Sequence, residues 1–200
     1  MELIGRTLES FDDDHLIPVF GFGDKRTADH SCFPFIPDRP CHGLEEMISR
    51  YRSIVPTLTL SGPTNFAPVI NKAIEIVRAA SSSYHILHII GDGQVNSEAQ
   101  TVEAIVRASE YPLSIIMVGV GDGPWEQMRR FDDQLPQRKF DNFQFVELNR
   151  LKADVAELYV RYAEPFSPGK GDAYCAMQML MEVPDQYLAI RKLQLLNKRG

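Results

Sequence analysis

Four apolar runs along the chain read as strands. Leu16-Ile-Pro-Val-Phe-Gly-Phe-Gly23 ends at Asp24, and Tyr84-His-Ile-Leu-His-Ile-Ile90 ends at Gly91-Asp92-Gly93. Leu113-Ser-Ile-Ile-Met-Val-Gly-Val120 ends at Gly121-Asp122-Gly123, and Phe143-Gln-Phe-Val-Glu-Leu148 follows a polar approach. Two of these runs are nearly continuous in apolar side chains, as in strands covered on both faces. The short Cys32-Phe-Pro-Phe-Ile36 segment carries Pro34, which suits only an edge strand.

Between the runs the apolar period becomes helical. Leu44, Met47, Ile48, Tyr51 and Val55 share one face, and Phe66, Val69, Ile70, Ala73, Ile74 and Val77 do so more strongly. Ser97-Glu-Ala-Gln100 has the form of a capping box ahead of Val102, Ile105 and Val106. Pro124, with Asp122 as its N-cap, opens a helix containing Trp125 and Met128. After about Asn149, Val155, Leu158, Tyr159 and Tyr162 predict a helix that Pro165-Phe-Ser-Pro-Gly-Lys-Gly171 breaks. Ala173, Ala176, Met177 and Leu180 predict another before Pro184. The alternation predicts an α/β fold with a doubly wound, mainly parallel sheet and helices on both faces. One domain accounts for residues 1–200, with a sheet core over 1–149 and a C-terminal helical segment over 150–200 of the same domain.

Composition narrows the function. A formal net charge of −6, with only short basic clusters such as Arg129-Arg130, argues against a nucleic-acid partner. No stretch approaches the roughly 20 apolar residues that span a bilayer, and the first residues do not read as a secretory signal. Cys32, Cys41 and Cys175 are odd in number and widely spread, which speaks against a disulfide framework and for a reducing compartment.

In an open α/β sheet, ligands bind beyond the carboxyl ends of the strands. Asp24, Asp92 and Asp122 stand at such ends, where carboxylates from several loops can converge on Mg²⁺ or a similar hard cation. The plainer role is that each caps a helix or holds a glycine turn. His30, Cys32, Cys41 and His42 are zinc-ligand types, but their spacing fits no closed tetrahedral pattern. Gly119-Val-Gly-Asp-Gly123 lacks full dinucleotide-loop spacing and reads as a tight strand-to-helix turn. Ser61 and Ser114 have no evident His and Asp partners for a hydrolase triad. His85 and His88 fall on opposite faces of their strand and cannot readily share a metal.

Longer segments resemble a known family. Leu60-Ser-Gly-Pro-Thr-Asn-Phe-Ala-Pro-Val-Ile70, Ile89-Ile-Gly-Asp-Gly-Gln-Val95 and Ala108-Ser-Glu-Tyr-Pro-Leu-Ser-Ile-Ile-Met-Val-Gly-Val-Gly-Asp-Gly-Pro-Trp125 are similar to segments of the copine-type von Willebrand A domain. Phe131-Asp-Asp-Gln-Leu-Pro136, Phe140-Asp-Asn-Phe-Gln-Phe-Val146, Leu16–Asp24 and Tyr51-Arg-Ser-Ile-Val-Pro56 extend the likeness nearly from end to end. Plant RING-domain ubiquitin ligases share that domain, and Leu180-Met-Glu-Val-Pro-Asp-Gln-Tyr187 fits both groups.

The resemblance implies an intracellular protein-binding module, cytoplasmic or nuclear, with full-length relatives also at the plasma membrane. It implies a metal-ion-dependent adhesion site, with Thr64 and Asp92 as ligands for Mg²⁺ or Mn²⁺ and a partner's acidic side chain as the docking group. The family's Asp-x-Ser-x-Ser loop belongs ahead of Met1–Leu8 and is absent, so the site is partial, metal binding is weak, and the sheet is incomplete at the N-terminus. Met1–Phe11 corresponds to the later half of the helix after that loop, and the chain reads as a fragment. The resemblance also implies an alternative role, as the substrate-recruiting part of a RING-type ubiquitin ligase with a ubiquitination substrate as partner. Three scattered cysteines without a Cys-x-x-Cys pair cannot build the RING, so catalysis by this chain alone is not expected.

Overall fold

A computed structural model describes residues 5–6, 12–80, 83–93, 95–135, 137–162 and 168–197. The centre is a parallel sheet of β5 (His85–Gly91), β6 (Leu113–Gly119) and β7 (Phe143–Glu147), in that order. Its register pairs Leu87 with Ile115 and Met117 with Phe145. Every residue of β6 is buried, because strands flank it on both edges and helices cover both faces.

Alternation along β6 divides the core. Leu113, Ile115 and Met117 pack with Phe66, Ile70 and Ile74, with Ile105, and with Met128 and Phe131. These come from α2 (Ala67–Ala79) and the residue before it, from α3 (Glu98–Ala108) and from α4 (Glu126–Asp133). Ile116 and Val118 point the other way, to Leu151, Cys175 and Met179 on α5 (Leu148–Tyr162) and α6 (Pro168–Leu180). The period of two in the strand thus supplies both layers. A last helix, α7 (Val183–Lys192), carries Pro184 in its first turn, where a missing N–H does no harm.

The Leu16–Phe22 run departs from expectation and does not join the sheet. It forms β1 (Leu16–Ile17) and β2 (Phe20–Gly21), paired antiparallel with β4 (Cys41–His42) and β3 (Phe33–Pro34) respectively. Pro18, lacking an N–H, falls between β1 and β2. Among the described residues the run makes backbone ladders to β3 and β4 and to no strand of the parallel sheet. Pro34 sits on the outer member of a two-stranded pair, as an edge assignment requires. A separate small core of Phe35, Cys41, Leu44 and Met47 joins these hairpins to α1 (Gly43–Ile54). Phe22 stacks edge-on against Phe66 at 5.7 Å, linking this layer to the main core.

Two caps differ from their predicted form. Ser97 is the N-cap of α3 but its hydroxyl makes no capping bond, and Gln100 Oε1 instead accepts from Asn65 Nδ2 at 2.8 Å. α4 starts at Glu126 with Trp125 as N-cap rather than at Pro124 with Asp122. The Gly123–Pro124 bond is cis and Gly121 and Gly123 have positive φ, so the chain turns tightly before the helix. Of the predicted break at 165–171, Pro168–Gly171 open α6, and the rest lies outside the described residues. The expected N-terminal helix over Met1–Phe11 also lies outside them, apart from Gly5 and Arg6, which are helical.

The turn after β6 is held by Trp125. A Cβ on Gly119 would stand 2.8 Å from the Trp125 ring and 3.0 Å from that of Phe145. Both are rigid rings rather than flexible chain ends, so Gly119→Ala is expected to destabilise the fold by about 1–3 kcal/mol. Urea denaturation reads this as a lower midpoint at unchanged slope; an unchanged midpoint would show that the rings move aside freely.

Candidate functional site

The carboxyl end of β5 passes through Gly91 into Asp92-Gly93, and Val95–Ser97 lead into α3. Beside it runs the Ser61–Phe66 segment that enters α2, with a cis Gly62–Pro63 bond ahead of Thr64. Two hydrogen bonds tie these loops together. Thr64 N donates to Asn96 Oδ1 at 2.8 Å, and Asn96 N donates to Thr64 O at 2.9 Å. Thr64 is half-buried and Asp92 exposed, and both line one cleft.

The surrounding frame is polar and well paired. Asn65 is buried; its Oδ1 accepts from Ala67 N at 2.9 Å, opening α2, while its Nδ2 donates to Asp29 O at 3.0 Å. Gln127 of α4 holds the second loop, accepting from Val95 N at 2.7 Å and donating to Val95 O at 3.0 Å. The same amide reaches Glu98, which is paired with Arg130 at 2.9 Å. Ser61 N donates to Gly23 O at 2.9 Å, so the end of the Leu16–Gly23 run meets the same face.

Of the acidic candidates, Asp92 shares the cleft with Thr64, and Asp24 and Asp122 do not line it. Asp24 is buried and accepts from Thr27 N at 2.8 Å and from the Thr27 hydroxyl, which holds its carboxyl below the usual range. Its role is to close a turn. Asp122 is exposed, with Asn149 Nδ2 at 3.4 Å. His30, Cys32, Cys41 and His42 remain apart: Cys41 is buried in the small core, and His30 stands beside Asp29 on the surface. Among the described residues no group of three or more His, Cys, Asp or Glu gathers.

A hard divalent cation needs about six oxygen ligands in near-octahedral array. Thr64 and Asp92 bring one hydroxyl and one carboxylate, while Asn96 Oδ1 is committed to Thr64 N. Among the described residues these two side chains offer fewer than six oxygen ligands.

Sequence reasoning missed Asn65, Asn96 and Gln127. An Asn just before a strongly helical run is a readable capping signal for Asn65. Asn96 and Gln127 act across 32 residues each, so no local pattern marks them.

The copine family matches residues 1–199. The chain is 48% identical over 212 residues to the E3 ubiquitin-protein ligase RGLG5 of Arabidopsis thaliana, an alignment covering all of this chain and 47% of that protein. It is 48% identical to RGLG2 of the same plant, covering 99% of this chain and 43% of the relative. Copine family protein 2 of Caenorhabditis elegans is 47% identical over all of this chain, which spans 2% of that protein. The chain thus spans less than half the length of these relatives. Among solved structures, manganese-loaded TRAP protein of Plasmodium vivax matches with a TM-score of 0.50 at 14% identity, over 76% of this chain and 60% of that one. That likeness concerns the fold.

Proposed function

Because the chain belongs to the copine family, we propose that it is a protein-binding module whose docking face is the carboxyl end of the sheet around Thr64 and Asp92. The observation that carries this reading is the pairing of the Thr64 and Asp92 loops through Asn96 at the mouth of one cleft. A Mg²⁺ or Mn²⁺ ion held by the Thr64 hydroxyl and the Asp92 carboxylate supplies a positive centre, and a partner's Asp or Glu takes an open coordination position. The family resemblance and the similarity to plant ubiquitin ligases support a second role, recruitment of a substrate within a RING-type ligase. We take residues 1–200 as one domain, since α5 and α6 pack on the sheet they follow. No helix among the described residues is long and apolar enough to cross a membrane. Three free cysteines, two of them buried, support an intracellular setting.

The ion should bind weakly, at about millimolar affinity, because water supplies most of its ligands. Calorimetric titration with Mn²⁺ reads the affinity, and retention of glutamate-containing peptides with Mn²⁺ or with chelator reads the docking. Asp92→Ala should abolish both. Metal-independent retention that survives Asp92→Ala would sink the docking reading. A micromolar affinity lost in Asp92→Ala would show that further oxygens complete the site. In a reconstituted ubiquitination assay the chain alone should form no ubiquitin chains above background, since residues 1–200 hold no zinc ligand set for a RING. Robust transfer by the unmodified chain would overturn that assignment.

A further inference from the structure

The loop that carries Asp92 is anchored on either side of that residue. Before it, Val120 N donates to Gly91 O at 2.8 Å, tying the end of β5 to the turn after β6. After it, one side chain takes both backbone groups of Val95. Gln127 of α4 accepts from Val95 N at 2.7 Å and donates to Val95 O at 3.0 Å, as a neighbouring strand would. Val95 is 4% exposed, so without that amide a donor and an acceptor shielded from water would lose their partner.

A second residue sets which way the Gln127 amide faces. Gln127 Nε2 also donates to Glu98 Oε2 at 3.0 Å, and an ionised carboxylate only accepts. Glu98 stands in the first turn of α3, and Arg130 Nη2 lies 2.9 Å from each of its oxygens. The amide nitrogen is therefore drawn to Glu98 and Val95 O, which leaves the oxygen for Val95 N. The peptide unit between Val95 and Asn96 is held on two sides: its oxygen accepts from Gln127, and its N–H donates to Thr64 O at 2.9 Å. Asn96 Oδ1 then accepts from Thr64 N at 2.8 Å. One continuous set of hydrogen bonds thus runs from Arg130 on α4 to Thr64, through the residues that follow Asp92.

We propose that Gln127 is a positioning residue of the docking face: from α4 it fixes Val95 and Asn96 against Thr64, and so sets how tightly the face holds a divalent ion. A loop fixed before binding loses less freedom when the ligand arrives, and its affinity is higher than that of a loop ordered on binding. Gln127 acts through Val95 rather than on the ligand. The effect on the ion rests on the docking reading above; the anchoring of Val95 and Asn96 stands without it.

Gln127→Met keeps the length of the side chain and removes its polar atoms, while Met128 and Phe131, the buried residues of α4, stay in place. In the full chain without metal, amide hydrogen exchange should speed up about tenfold or more at Val95 and Asn96 and stay as in the wild type at Ile116 of β6. Gln127→Glu keeps an acceptor for Val95 N but sets a carboxylate against Val95 O and Glu98, and should speed exchange further. Adding Glu98→Gln gives that carboxylate a donor and should recover part of the protection, a rescue that a space-filling side chain would not show. Titration with Mn²⁺, followed by paramagnetic broadening at Asp92 and Gly93, should show binding about tenfold weaker in Gln127→Met than in the wild type. Unchanged exchange at Val95 and Asn96 would overturn the proposal. So would an equal rise at Ile116, which would mean that the whole fold had loosened. Faster loop exchange with unchanged Mn²⁺ affinity would overturn the control of the face. A wild type that binds no Mn²⁺ would overturn the docking reading and the effect on the ion with it, and exchange at Val95 would then decide the anchoring role by itself.

Discussion

Replacing Phe66 by alanine is expected to destabilise the fold by about 3–5 kcal/mol, the range for a fully buried aromatic ring. Phe66 is 0% exposed and precedes α2 at the point where three parts meet. Its ring belongs to the core against β6, meets Phe22 of the hairpin layer edge-on at 5.7 Å, and lies under Gly91 at the end of β5. Truncation removes apolar burial and also the contact that joins the Leu16–Gly23 run to the sheet. Phe66→Leu keeps much of the volume and should lose less than half as much. Chemical denaturation separates the two variants. A loss below about 1 kcal/mol for Phe66→Ala would show that the hairpin layer is held by other contacts.

Stability should also fall steeply in mild acid because of His88. Burial lowers its pKa from the ordinary 6.5 to about 4, and neither ring nitrogen has a partner. The folded ring stays neutral where the unfolded ring takes up a proton, so its contribution is fully present above pH 6.5 and is lost as pH falls toward 4. The span from 6.5 to about 4 corresponds to about 3 kcal/mol. Asp132 acts in the opposite sense. Burial first, then the Glu182 carboxylate, raises its pKa from 3.8 to about 7, so its contribution is present below pH 3.8 and is lost as pH rises toward 7. Asp133 and Asp141 add to that repulsion, while the Arg138 guanidinium is paired with Asp141 at 2.7 Å and donates to Asp132 O. The two slopes overlap, so the comparison belongs in an Asp132→Asn background. There, denaturation at pH 7 and pH 4 should show a loss that His88→Leu reduces by about 3 kcal/mol. Equal pH dependence with and without His88 would place the acid sensitivity elsewhere.

Much of this architecture is readable along the chain. The runs at His85–Gly91 and Leu113–Gly119 are nearly continuous in apolar side chains, the pattern of strands in a helix-covered parallel sheet, and both are strands of that sheet. Leu44, Met47 and Tyr51, and then Ile70, Ile74 and Val77, recur at helical spacing, and helices stand there. These are local properties, set by the period of the backbone and the side chains it carries. The family likeness was legible for the same reason, being carried by contiguous motifs across 1–199.

Other features were decided only in three dimensions. Leu16–Phe22 has the composition of a sheet strand, yet its pairing depends on which edges lie within reach, and it paired with β3 and β4. The Ser97–Gln100 capping box lost to Asn65, because a side chain 35 residues away offered Gln100 a better-placed donor. Asp24 and Asp122 looked equivalent to Asp92 in their Gly-Asp settings, but Thr27 engages one and the turn before Trp125 carries the other away from the cleft. The Thr64–Asp92 face itself rests on Asn96, whose two bonds close a gap of 32 residues. Spacing in sequence fixes periodicity and hence element type; which polar groups meet is set by how the elements pack, and that distance is not written in any one segment.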